Sequence, residues 1–215
     1  MATPTASRAP ESRESWAGDP PLRGAARRRL IEAAARCAVR DGFAATSLSS
    51  VAAEAGVSRP TVYRYFADRH ALLRATMLHA AGSLGDDLSR HLRAFRRDPR
   101  RMAVEAMLYV LGELPRNPLL AAMWGSTALD SALLADFTGA EVVAMARDAL
   151  AELVEAAGWS DAEADEAVEW MLRVLLSLLV APGPERSEAA LRDLLERRML
   201  PALRLPPNPS TNGET

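Results

Sequence analysis

Arg59, Thr61, Tyr63 and Tyr65 fall within seven residues of one another and carry the groups with which proteins grip nucleic acids. A guanidinium forks onto a guanine edge or a phosphate, and threonine and tyrosine hydroxyls donate to either. Ser47 stands upstream at the expected start of another helix, where its hydroxyl and the free N–H groups of a helix N-terminus favour an anion. The chemistry this set suits is reversible docking on a duplex rather than bond breaking.

Side chains like these need short, rigid supports. Leu48, Val51, Ala52 and Ala55 recur at i, i+3, i+4 and i+7, the apolar stripe of an amphipathic helix. Gly56 supplies the permissive backbone of a sharp turn, Val57 fills the corner, and Ser58 is placed to cap a second helix whose first turn tolerates Pro60. Val62 and Phe66 face inward, leaving the donors outward. An earlier helix over residues 24–40 sends Leu30, Ile31, Ala34, Ala35 and Ala38 inward and ends near Asp41 and Gly42, with Phe43 anchoring the connection. Asp68 caps a fourth helix through Leu72, Leu73, Met77, Leu84, Leu88 and Leu92, in which Gly82 and Gly85 are expected to allow a bend.

The run Ala55-Gly56-Val57-Ser58, followed by Thr61-Val62-Tyr63-Arg64-Tyr65-Phe66, Asp68 and Leu72-Leu73, resembles the DNA-binding domain of the TetR family of transcriptional regulators over about residues 24–77. LacI-type repressors share the corner, but they begin with it and continue into a large α/β domain, whereas here a whole helix precedes it and only helical patterns follow. The resemblance implies that Ser49, Arg59, Pro60, Thr61 and Tyr63 approach base edges, and that Ser47, Tyr65 and Arg69 hold phosphates. By residue type alone Arg59 suits either a guanine or a phosphate, and Arg27, Arg28 and Arg29 suit either the DNA backbone or solvent.

Charge agrees with this division. Residues 23–74 hold ten arginines against four acids, a net +6, while residues 75–215 carry a net −7, so the basic charge sits where the motif sits. The 215 residues, 49% hydrophobic, suffice for a small DNA-binding module and a larger domain with its own core. A single cysteine excludes an internal disulfide framework and points to the cytoplasm. Polar residues follow Met1 where a secretory signal would be apolar, and the apolar stretch 174–181 is far short of the roughly 20 residues of a membrane span.

Helical patterns continue over residues 102–114, 118–124, 128–157, from Asp161 to a stop at Pro182-Gly183-Pro184, and over residues 187–203. No period-2 alternation suggests a strand. By analogy with the family, the middle helices form a ligand chamber: Met102, Met107 and Leu111, then Trp124, Phe137, Met145 and Trp170 are its expected wall, methionine being suited to an adaptable one. Glu105, Arg147 and Glu169 are the charged residues within these otherwise apolar helices that qualify as ligand anchors. The helix at 167–180 is apolar beyond one face, and with the last helix it offers a four-helix dimer surface whose expected contacts include Leu175, Leu178, Leu191 and Leu195.

Enzymatic chemistry finds little support. His70, His79 and His91 form no metal-binding pair, Asp87 with His91 is at most half a site, and Cys37 reads as a small hydrophobe in the first helix. No phosphate loop, nucleotide fingerprint or Gly-x-Ser-x-Gly elbow occurs. The expected protein is all-α: an arm at 1–20, a three-helix helix-turn-helix DNA-binding domain at 21–67, a helical ligand-binding and dimerisation domain at 68–204, and a flexible tail at 205–215. It is expected to act as a cytoplasmic homodimeric regulator without a cofactor or membrane partner, binding an inverted-repeat operator in double-stranded DNA and released by a small hydrophobic effector. A helical small-molecule sensor or interaction module lacking operator-specific binding is the alternative.

Overall fold

Three polar residues punctuate the first third of the chain in the computed structural model, which describes residues 20–124 and 135–206. α1 (Pro20–Asp41) ends where Gly42 adopts a φ of +88°, a conformation least costly for glycine. Ser47 then caps α2 (Leu48–Glu54), Ser58 caps α3 (Arg59–Tyr63) and Asp68 caps α4 (Arg69–Leu92), each side-chain oxygen accepting from the N–H three residues on. Gly56, at a φ of +67°, makes the corner between α2 and α3.

A 3-10 turn (Arg93–Phe95) leads to α5 (Pro99–Glu113), capped by Asp98, and to α6 (Pro118–Trp124). α7 (Ala140–Ala149) and α8 (Ala151–Ala157) follow, then α9 (Asp161–Val180), whose Ser160 and Glu163 form a reciprocal capping box. α10 (Glu188–Arg198) and a 3-10 turn (Leu200–Leu203) complete an architecture that is helical throughout the described residues. None of the described helices is long and apolar enough to cross a membrane.

Several boundaries differ from expectation. The single helix expected at 128–157 has its first seven residues outside the described ones; a turn then precedes Gly139, and a second break falls at Leu150, with φ −102° and ψ 16°. That break turns the following segment so that Leu153 is fully buried. In α1 the packed face carries Ala33 and Cys37 rather than Ala35, which is half-buried. Gly82 and Gly85 do not interrupt α4; a Cβ at Gly85 would lie 3.2 Å from that of Ala149, so this glycine lets α4 and α7 pack closely. The expected arm lies outside the described residues except for Pro20, which already opens α1. Leu205, the first residue of the expected tail, is buried against the core, and residues 207–215 lie outside the described ones.

Two apolar cores result. The smaller joins Leu30, Ile31 and Cys37 of α1 to Leu48 and Val51 of α2, Val62 of α3 and Phe66. The larger gathers α5, α7, α8, α9 and α10 around Met102, Val104, Leu153, Val168 and Leu195. α4 serves both, since successive residues on a helix point about 100° apart: Leu72 and Ala75 enter the first core, Leu73 and Met77 the second. Its 24 residues make a rod about 36 Å long.

Candidate DNA-reading surface and interior cavity

The cap of α2 is doubled. Ser47 Oγ accepts from the Ser50 N–H at 3.1 Å, and Ser50 Oγ accepts in return from the Ser47 N–H at 2.9 Å. The C-terminal end of the helix is pinned to α1 by Glu54, whose carboxylate takes Arg36 Nε at 2.7 Å and an Arg40 terminal nitrogen at 2.8 Å. Those two guanidinium hydrogen bonds hold the Glu54 carboxyl below the ordinary glutamate range. Sequence reasoning missed this clasp and the part played by Ser50: serine at the third helical position is a weaker capping-box signature than glutamate, and the partners of Glu54 lie 14 and 18 residues away.

α3 is held by its inner side and bare on the other. Val62 is fully buried, whereas Arg59, Pro60 and Tyr63 are exposed, the tyrosine at 55%. The Arg59 guanidinium donates to Ser49 Oγ across the corner, bringing two of the residues expected at base edges into contact. Thr61 Oγ1 lies 2.8 Å from Ser58 Oγ, so this hydroxyl shares in the cap as well as facing outward. Tyr65 is half-buried against the small core with the Arg64 guanidinium 5.8 Å from its ring centroid, and Arg27 lies 5.2 Å from that of Phe66.

Arg69, expected at a phosphate, is anchored locally as well. Its guanidinium donates to the backbone carbonyls of Phe43 at 2.7 Å, Ala44 at 3.0 Å and Thr46 at 2.7 Å. The first residue of α4 thus braces the loop that delivers Ser47 to its cap. Thr46, itself buried, reinforces that loop through Oγ1 donating to the Gly42 carbonyl at 3.0 Å.

Beginning about 12 Å along the rod from Arg69, α4 forms one wall of an apolar cavity of about 120 Å³. Met77, Leu84 and Leu88 of α4 face Met107 and Val110 of α5, Val142 and Met145 of α7, and Val168 and Met171 of α9, with Leu120 and Phe137 closing the sides. Of the expected wall, Met107, Phe137 and Met145 are present. Met102 is fully buried in the core away from the cavity, and Leu111 packs on the core without lining it. Trp170 is 43% exposed on the outer side of α9, and the Trp124 side chain lies outside the described ones. None of the three charged anchors lines the cavity: Glu105 is buried but takes Arg192 at 2.7 Å, Arg147 pairs with Asp165 at 3.1 Å, and Glu169 with Arg173 at 2.5 Å.

The expected dimer contacts divide. Leu175 lines the cavity, and Leu195 is 2% exposed within the larger core, so both are interior residues. Leu178 and Leu191 are half-buried at its edge, while Val180 stands 52% exposed alongside Trp170. His91 stacks on Tyr109 with ring centroids 4.7 Å apart while Asp87 pairs with Arg90, so they do not converge as ligands. Cys37 is buried in the small core, as a small hydrophobe would be.

Residues 30–76 match the family model described as bacterial regulatory proteins, tetR family. The HTH-type transcriptional regulator BetI of Paraburkholderia xenovorans is 42% identical over 79 residues, 37% of this chain and 40% of that protein. The chain thus spans less than half the length of these curated relatives. An uncharacterized HTH-type transcriptional regulator of Mycobacterium tuberculosis is 29% identical over 175 residues, 80% of this chain and 83% of its own length. Among solved structures, the TetR family repressor AlkX of Dietzia sp. strain DQ12-45-1b, implicated in biodegradation of n-alkanes, shares the fold with a TM-score of 0.61 at 22% identity, over 82% of this chain and 96% of that one. The multidrug binding protein EbrR complexed with ethidium does so with a TM-score of 0.51 at 24% identity, over 80% and 96%.

Proposed function

From the premise that this chain belongs to the TetR family of transcriptional regulators, we propose that it is a repressor that binds an inverted-repeat operator as a homodimer and leaves it when a small apolar effector fills the interior cavity. The observation that carries the reading is the double service of α4. One end grips the connection ahead of the reading helices through Arg69, and the other forms a cavity wall through Met77, Leu84 and Leu88.

Base contacts fall to Arg59, Tyr63 and their neighbours Ser49, Pro60 and Thr61, with Ser47 and Tyr65 facing phosphate. The exposed face of α3 supports this assignment. One short recognition helix reads too few base pairs for a regulator, so two copies are required, about 34 Å apart on successive major grooves. Trp170 and Val180 on the outer side of α9, with Leu178 and Leu191 at the edge of the core, supply the apolar surface for that pairing. The cavity wall offers hydrocarbon and thioether groups, which suit a ligand held by shape and burial.

The experiment is a selection of bound duplexes from a random pool, followed by titration of the winner against unselected DNA. An inverted repeat, bound by two chains and losing affinity steeply with salt, is the expected outcome. Equal affinity for selected and random duplexes would overturn operator recognition.

A further inference from the structure

Four charged or polar residues that belong to neither the cavity nor the reading head meet between them. Phe137 and Val142 line the cavity, and each has a carboxylate beside it in sequence: Asp136 and Glu141. Both carboxylates meet α4 in its first two turns. Asp136 Oδ2 lies 3.2 Å from His70 Nε2 and 3.4 Å from Arg74 Nε, while Glu141 Oε2 takes an Arg74 terminal nitrogen at 2.5 Å. The facing atoms of His70 and Asp136 are shut off from solvent and make no well-directed hydrogen bond, so nothing directional holds them there. His70 is the neighbour of Arg69, which grips the carbonyls of Phe43, Ala44 and Thr46.

We propose that Asp136 and Glu141, pairing with His70 and Arg74, form the latch through which cavity occupancy reaches the DNA-reading domain. This rests on the regulatory reading above and names the device that executes it. A molecule entering the cavity presses on Phe137 and Val142, whose preceding residues carry the two carboxylates. Displacing these by about 1.5 Å takes the Arg74 contacts, now 2.5 Å to Glu141 and 3.4 Å to Asp136, to 4 Å and beyond, and Coulomb attraction between partly solvated charges weakens with that separation. The first turns of α4 then lose their tie to α7 while keeping their apolar seat, and Arg69 moves with them.

Amide hydrogen exchange on the full chain tests this without any operator. The probe is benzene, a hydrocarbon that enters dry apolar cavities of about this size. In the wild type, benzene is expected to speed exchange over residues 43–47 and 69–74 by about fivefold or more, a coupling of ordinary size. The double variant Asp136→Asn with Glu141→Gln should exchange fast there without benzene and respond to it less than about twofold. Arg74→Gln, which cuts contacts to both carboxylates from the α4 side, should do the same and guards against misfolding of the first variant. Asp161→Asn, altering an exposed partner of Arg147, is the control and should behave as wild type. Wild-type exchange rates in both latch variants, an undiminished benzene effect in them, or no benzene effect on these residues in the wild type would each overturn the latch. A chain that retains no duplex would instead sink the regulatory reading, leaving the latch to be judged by exchange alone.

Discussion

Arg59 and Arg69 lie ten residues apart and carry the same group, yet their surroundings assign them different work. Arg59 is exposed and tethered only to Ser49 Oγ, a contact a base edge or phosphate can replace. Arg59→Ala and Tyr63→Ala are each expected to cost about 1–3 kcal/mol on the selected operator and much less on random duplex, read by parallel titrations. Loss of equal size on both duplexes would remove their base-reading role. Arg69 donates from Nε and one terminal nitrogen to three carbonyls, and hydrogen bonds to a charged group contribute a net of about 1.5–3 kcal/mol. Arg69→Ala should therefore destabilise the folded chain, by about 1–3 kcal/mol in denaturant titration, whether or not DNA is present. The exposed side of α3 was legible in the sequence because Val62 and Phe66 mark the inward side and leave the rest. The role of Arg69 was not, because its partners lie 23 to 26 residues back, in a loop whose path only the fold sets.

Elements were legible where punctuation is strong and illegible where apolar residues surround a helix. Ser47, Ser58 and Asp68 all cap the helices that their positions announce. α9 shows the opposite case: with leucines at 172, 175, 176, 178 and 179, periodicity cannot separate the side facing the cavity from the side facing outward, and Leu175 proves to be interior. The same holds for Leu195 of α10, so Leu195→Ala should cost about 2–5 kcal/mol of stability as a cavity in the core. Dimerisation should respond instead to Trp170→Asp combined with Val180→Asp, which leaves the core untouched and is expected to yield folded monomers by sedimentation; stable dimers from this variant would place the interface elsewhere. The α1–α2 junction carries a pH signature. Glu54 is held below the ordinary glutamate value of 4.5 by Arg36 and Arg40, so the stability it contributes is complete above that value and is lost as pH falls through its folded-state titration. The Tm gap between wild type and Glu54→Gln should accordingly be present at neutral pH and close in acid; a gap independent of pH would deny the clasp any role.

At the scale of the whole molecule the charge is segregated, with a basic first domain and an acidic remainder, and α4 is the solid member common to both cores. Two sites sharing one rigid element are coupled whenever that element has two positions, and linkage then makes each binding event weaken the other by the same factor. A differential affinity of about 1–3 kcal/mol for the two positions gives about 5- to 150-fold in operator affinity. Nothing in the sequence could supply the cavity's dimensions, because they arise where five helices fail to fill the space between them; of its wall only Met107, Phe137 and Met145 were readable. Met107 allows the coupling to be tested from the wall opposite α7. It is 3% exposed and faces the void, so Met107→Trp should grow into the roughly 120 Å³ available. Overpacking of this kind is expected to cost no more than about 1–3 kcal/mol of stability. Operator affinity should stay within about twofold of wild type, far below one coupling step, while an effector identified by screening should lose its power to release DNA. A variant that still responds at wild-type effector concentrations would mean that the ligand does not use this cavity. One that loses operator affinity with no effector present would mean that filling the α5 side alone moves α4, and would shift the pressure point from α7 to α5.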